Sequence, residues 1–285
     1  MTKAGCLLMT LLLALPIHAN TPIKQNLFSG EALFLTLPQQ LQGCQLMYKN
    51  RKYPVYPHPI HDHLSVVVLV AELDSKDANQ KVMVQCKKGN QNDSLIDIRL
   101  IEPNYPVEPL SVNPDLVTPP EHARQRIDKE RAEIRSALTC KLTDKPLESA
   151  FTLPVPLRKV TSPFGIRRLY NGQLKSRHTG VDFRAATGTP VCAPHDGAVR
   201  MAQDNWYTGG HIVLEHGWGV TSSYFHLSEL QVKVGDKVRL GQQIALSGAT
   251  GRVTGPHLHW GIHVNGTPVN PMQFVRDSME LFSGL

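Results

Sequence analysis

The sequence predicts a mainly β protein, in which a small N-terminal β domain and one connector helix precede a larger β domain. Three observations support this. Short apolar runs separated by glycine and proline turn clusters recur along most of the 285 residues. His257, His259, Gly261 and His263 alternate with Leu258, Trp260, Ile262 and Val264, a period-2 strand with one apolar and one histidine-bearing face. Ile127, Ile134, Leu138 and Leu142 instead repeat at helical spacing.

The elements follow in order. Residues 1–19 read as a secretory signal, with Lys3 as the positive start, Cys6 to Leu15 as the apolar core and Ile17-His-Ala19 as a cleavage site. The apolar stretch is too short to span a bilayer, and the residues before Cys6 do not suit a lipoprotein anchor. Residues 20–113 form the expected accessory or regulatory β domain. Its strands are expected at Glu31–Leu37, Gln45–Tyr48, Leu64–Glu72, Lys81–Gln85 and Ser94–Ile101. The proline-rich stretch from Glu102 to Pro120 reads as an extended linker. Thr118-Pro-Pro-Glu121 suggests a capping box that opens the connector helix, so that 114–146 comprises linker and helix. Arg and Glu are expected to cover the helix face opposite the apolar stripe. From 147 to 285, short strands and glycine turns dominate and long helices are not expected, with loops at 165–177, 203–211 and 249–256 roofing a cleft.

Composition narrows the function classes. The formal net charge is +6, and loss of Lys3 with the signal leaves about +5. A basic surface suits an acidic polymer. There is no basic block and no aromatic–basic interleaving, so nucleic-acid binding has little support. In an oxidising compartment Cys44 and Cys86, both in strand-like stretches of the N-terminal domain, are expected to bridge. For Cys140 and Cys192, a second bridge and buried thiols are equally open.

The chemistry-bearing residues cluster in the C-terminal half. His257 and His259 leave the same strand face about 7 Å apart at the backbone, so one can bind a metal while the other leans over a metal-bound water. His178 and Asp182 would lie roughly 13 Å apart if the chain between them were fully extended. A bend at Gly180, using backbone angles other residues avoid, is expected to bring them together. No His-Glu-x-x-His helix occurs, which excludes a thermolysin-type site. His195, His211, His216 and His263 read as structural. His58, His61 and His63 form a second cluster, weighed as an additional metal site against an exposed loop-to-strand junction.

These residues sit in Ser162-Pro-Phe-Gly-Ile-Arg-Arg168, Arg177-His-Thr-Gly-Val-Asp-Phe183, Gly188-Thr-Pro-Val-Cys-Ala-Pro-His-Asp-Gly197, Tyr224-Phe-His-Leu227 and Ser247-Gly-Ala-Thr-Gly-Arg-Val-Thr-Gly-Pro-His-Leu-His259. The set resembles the M23 (lysostaphin/LytM-like) peptidoglycan endopeptidases over about residues 150–275. The resemblance implies an antiparallel β-sheet catalytic domain, one zinc ion held by His178, Asp182 and His259, and His226 and His257 as non-ligand catalytic histidines. A tyrosine near the substrate carbonyl, Tyr170, is a weaker correspondence. The resemblance also implies an exported, periplasmic or extracellular, zinc metalloendopeptidase that acts on peptidoglycan peptides and has no stable membrane anchor. An autoinhibitory contact from the N-terminal domain is a further expectation. The rival readings are the same chemistry on glycine-rich proteins and a non-catalytic activator of wall hydrolases.

Overall fold

The structure is a computed structural model that describes residues 23–41, 44–49, 51–75, 79–85, 94–111, 119–139, 145–156 and 159–283. The signal segment, Cys86 and Cys140 lie outside them. The N-terminal strands are β1 (Ile23–Phe28), β2 (Ala32–Pro38), β3 (Gln45–Tyr48), β4 (Arg51–Pro54), β5 (Tyr56–Pro57), β6 (Leu64–Val70), β7 (Asn79–Gln85) and β8 (Ser94–Ile101). They form a five-stranded sheet, β1-β8-β7-β3-β4, and a three-stranded sheet, β2-β6-β5.

Every residue of β6 is buried. Its apolar run faces two cores, because alternate side chains leave opposite faces of a strand. Val67 and Leu69 join Leu33, Leu46 and Ile98 in the N-terminal core. Val66, Val68 and Val70 join Trp218, Phe274 and Trp260 in the core of the C-terminal half. The two halves are therefore packed through shared apolar surface. Cys44 is disulfide-bonded, while Cys192 is a free thiol.

The stretch expected to be linker contains strand β9 (Val107–Leu110), which pairs in parallel with β11 (Arg167–Tyr170). Its proline-rich composition gives the extended backbone but does not reveal the partner. A non-local register supplies the ladder that turns this linker segment into sheet. Helix α1 (Glu121–Leu138) follows. Pro120 is its N-cap and makes no side-chain capping bond, while Thr118 lies outside the described residues. Ala137, with Ile134 and Leu138, packs against Met201 and Val213. Glu130 departs from the expected polar face: it is buried, accepts a hydrogen bond from Trp206 N at 2.8 Å and pairs with Arg126 at 2.5 Å. A buried carboxylate is tolerable only with such partners.

The remaining strands are β10 (Val160–Ser162), β12 (Gln173–Arg177), β13 (Val181–Phe183), β14 (Pro190–Cys192), β15 (Gly197–Asn205), β16 (Gly209–Gly217), β17 (Val220–Leu230), β18 (Lys237–Val238), β19 (Gln243–Ser247), β20 (Leu258–Val264) and β21 (Thr267–Val269). The main sheet runs β10-β13-β20-β17-β16-β15-β18, with β14, β19 and β21 attached, while β12-β11-β9 is a separate sheet. The architecture is mainly β, and the ladders of the main sheet are antiparallel.

Helix α2 (Pro271–Ser283), like strands β1, β4 and β5, is missing from the sequence reading. Its start signal is nonetheless there: Asn270 caps the backbone N–H groups of Met272 and Gln273, and Pro271 occupies the first turn. Phe274, Val275 and Leu281 point inward, and Gln273 bonds both backbone groups of Ala32 in β2.

Candidate metal centre

Strands β13 and β20 build the centre of the site. Their antiparallel register sets Asp182 directly opposite His259 and Phe183 opposite Leu258. Facing residues of such a pair project side by side from one sheet face. His178 enters from the turn before β13. Its backbone is fixed by His178 N to Ile166 O and Gly165 N to His178 O, both 2.8 Å. The bend at Gly180 has a different cause from the one expected. Gly180 is outside the left-handed region; an added Cβ would lie 2.4 Å from Trp260 O and 2.7 Å from His259 Nε2. Glycine is needed there for close approach of two chain segments, which a local reading could not show.

The donor atoms converge. His178 Nε2 lies 2.9 Å from Asp182 Oδ1 and 3.0 Å from His259 Nδ1, and His259 Nδ1 lies 2.8 Å from Asp182 Oδ1. All three residues are buried, and they are the only described group of three metal-type side chains whose ligand atoms meet this closely. Zinc bonds of ~2.0–2.2 Å in a tetrahedron imply donor separations of about 3.3 Å, so the triangle needs only slight opening to hold the ion. The far side of His178 fits this role. Its Nδ1 lies 2.7 Å from Pro163 O, a backbone acceptor that orients the ring with Nε2 toward the cluster. Burial would raise the Asp182 carboxyl, but the bonds from His178 and His259 pull it well below the usual range. Burial pushes the His259 imidazole down to about 4, against the pull of Asp182. At neutral pH Asp182 is thus a carboxylate and His259 a neutral imidazole, the ligand forms a metal requires.

His226 and His257 stand beside this triangle, with ring centroids 4.8 Å apart. His257 Nε2 is 3.9 Å from Asp182 Oδ1. Each donates its Nδ1 proton to a backbone carbonyl, His226 to Thr250 O and His257 to Gly255 O, both at 2.8 Å. Each therefore keeps Nε2 as an acceptor. Burial pushes His226 down to about 3, followed by the neighbouring His257 and His259.

His226 has φ +65°, in the left-handed region, where the β16–β17 register shifts. For a non-glycine residue this costs of order 1–3 kcal/mol. The kink breaks the strand alternation. Phe225 stacks on His259 at 4.5 Å, and His226 also comes within 6.4 Å of the same ring. Consecutive residues of a regular strand could not both face one side.

The sequence reading assigned no role to three residues that support the centre. Arg168 donates to Asp182 Oδ2 at 2.5 Å and lies 3.4 Å from Glu108 Oε2 in β9. Phe225 holds the His259 ring plane, with His211 edge-on to its other side at 4.4 Å. Glu108 also accepts from Ser162 Oγ at 3.3 Å. Arg168 and Phe225 lay within quoted motifs; Glu108, in the linker-like stretch, carried no signal.

A cleft of about 360 Å³ opens onto Asp182, His226 and His257. Tyr170 is buried in its wall beneath Arg252. Of the expected loops, residues 252–256 line the cleft, while 167–170 is strand β11. His263 shares the strand face with His259, is buried and does not join the triangle. The His58, His61 and His63 rings lie 5.0 and 5.8 Å apart in sequence, but His58 Nδ1 accepts from Ile60 N and His61 N at 3.2 Å. That nitrogen stabilises a turn, and the three do not converge.

Fold and donor set together define the class of site: a buried His/Asp/His group of metal-ligand type on a β-sheet, with two flanking histidines. Residues 176–271 match the model of Peptidase family M23, and the chain carries an M23 peptidase domain. It is similar to peptidoglycan DD-endopeptidase ShyA of Vibrio cholerae serotype O1, 46% identical over 116 residues, 40% of this chain and 27% of that one. The DD-carboxypeptidase/endopeptidase Mpg of Neisseria meningitidis serogroup B is 39% identical over 131 residues, 45% of this chain and 30% of that one. The chain thus spans about 30% of the length of these curated relatives. A crystal structure from Pseudomonas aeruginosa, provisionally assigned as peptidase M23, matches 90% of this chain and 96% of its own at TM-score 0.63 and 25% identity. That likeness extends across the N-terminal half as well.

Proposed function

We propose that the chain is an exported zinc metalloendopeptidase that hydrolyses peptide cross-links of bacterial peptidoglycan. The observation that carries this reading is the pair of Nε2 acceptors on His226 and His257 beside the His178–Asp182–His259 triangle. A zinc ion held by that triangle supplies Lewis acidity and a bound water with a pKa near ~7.

The chain's own residues divide the rest. Asp182, kept ionised, offsets the ion's charge, and Arg168 fixes its second oxygen. His226, deeply buried and held neutral, orients the attacking water through Nε2. His257, less buried at the cleft mouth, accepts the water proton at Nε2 and returns it to the leaving amine. Peptidoglycan as the substrate is supported by the DD-endopeptidase relatives; among its cross-links, this reading favours D-alanyl–diaminopimelate. Export follows from residues 1–19; among the described residues no helix is long and apolar enough to cross a membrane.

The N-terminal half acts as a restraint in this reading. Strand β9 walls the cleft, and Glu108 lies against Arg168, which also bonds Asp182 and Ser162. Glu108→Gln should therefore raise the rate of sacculus digestion, and an unchanged or lower rate counts against restraint. The main reading is tested with zinc-loaded protein and His259→Ala on purified sacculi, the fragments being identified by mass spectrometry. Conversion of cross-linked peptides to monomers by the native protein alone is the expected result. Intact cross-links with both proteins would favour the glycine-rich-protein or activator readings.

A further inference from the structure

The cleft beside the metal centre has an unequal charge pattern. It is lined by Arg168, Arg184 and Arg252 against the carboxylates Glu108 and Asp182. Both carboxylates lie against the same arginine: Arg168 is 2.5 Å from Asp182 Oδ2 and 3.4 Å from Glu108 Oε2. Arg184 and Arg252 line the same cleft, and any metal in the triangle would add to its positive charge.

Arg252 is held in a defined orientation. Its guanidinium lies 4.4 Å from the Tyr170 ring centroid and 4.7 Å from that of Tyr207. Its backbone N–H donates to Tyr207 O at 2.8 Å. The preceding Gly251 (φ +73°) presses the loop onto the β15–β16 turn so closely that a Cβ would lie 2.4 Å from Gly209 N. Stacking on aromatic faces confines the hydrogen bonds of a guanidinium to its own plane, the geometry that suits a carboxylate. Arg184 is exposed two residues beyond Asp182, with its backbone N–H bound to Lys159 O at 2.9 Å. Arg252 precedes His257 by five residues, so the chain that carries the two arginines also carries a metal ligand and a catalytic histidine.

We propose that Arg252, assisted by Arg184, determines specificity by binding a carboxylate on the substrate next to the bond that is cut. This rests on the endopeptidase reading and deepens it: the substrate is an acidic peptide, and a neutral glycine-rich one lacks the group these arginines hold.

The test compares two cross-linked peptide dimers that differ in one group, a free carboxylate beside the cross-link or its amide. Zinc-loaded native protein should favour the free acid in kcat/KM by about 10- to 100-fold, the range of one charge-assisted hydrogen bond. In Arg252→Gln that ratio should fall toward one, and Arg252→Lys, which keeps the charge without the fork, should give an intermediate ratio. Arg252 packs on two rings, so the exposed Arg184→Gln serves as the second variant, with a partial fall expected. Equal rates on both dimers with native protein, or variants that slow both dimers by the same factor, overturn the proposal alone. Cleavage of neither dimer by native protein overturns the endopeptidase reading and this proposal with it.

Discussion

Among the described residues, two clusters each bring three metal-type side chains together, and only one of them converges its ligand atoms. His58, His61 and His63 are local, contributed by one turn and the residue before β6. Their neighbourhood follows from sequence proximity, and His58 Nδ1 is occupied by backbone donors. His178, Asp182 and His259 come from segments up to 81 residues apart. Antiparallel register sets two of them face to face, and Pro163 O orients the ring of the third. Convergent lone pairs on a rigid scaffold distinguish a metal site from a cluster of histidines.

The contrast is sharpest at the ligands. Asp182→Ala or His259→Ala should remove stoichiometric zinc and lower activity by more than about 10³-fold, the scale of several kcal/mol of lost charge stabilisation. Zinc analysis and sacculus digestion check both. His226→Ala and His257→Ala should lose ~10²- to 10⁴-fold in rate while retaining zinc, as expected for proton-handling groups. Loss of zinc in either would make it a ligand. Arg168→Met should weaken zinc binding by about 10- to 100-fold through Asp182, measurable by competition with a chelator.

Acid stability probes the buried histidines in and around the centre. Burial holds His211 and His226 near 3 and His259 and His263 near 4. Each is neutral in the fold but would protonate near ~6.5 when unfolded. Their stabilising contribution is therefore complete above about pH 6.5 and is lost progressively as pH falls from there through the folded values of about 4 and about 3. The urea midpoint of metal-free protein should drop between about pH 7 and pH 4.5, each group adding up to ~1.4 kcal/mol per pH unit. A flat profile would contradict neutral burial. The smallest effect belongs to His61→Ala, which should leave zinc content and digestion rate unchanged.

How much of this was legible in the sequence depended on the range of the interaction. The alternation around His259 is local, so its strand and the side its histidines face could be read directly. The identity of the ligand set came from resemblance, because no spacing rule joins residue 178 to residue 259. Gly180 was singled out correctly for the wrong reason, since Trp260 O and His259 set its limit and both come from β20. Strand β9, the burial of Glu130 and the kink at His226 depend on partners distant in sequence and were not legible. Helix α2 is a different failure: Asn270-Pro271 was a readable start signal, masked by a surrounding run of strands.

The most direct test of the central claim is a zinc titration of metal-free native protein beside His259→Ala and His61→Ala, read by calorimetry and native mass spectrometry. One tight equivalent in the native and His61→Ala proteins, and none in His259→Ala, is the predicted result. Tight binding that survives loss of His259, or disappears with His61, would contradict the account.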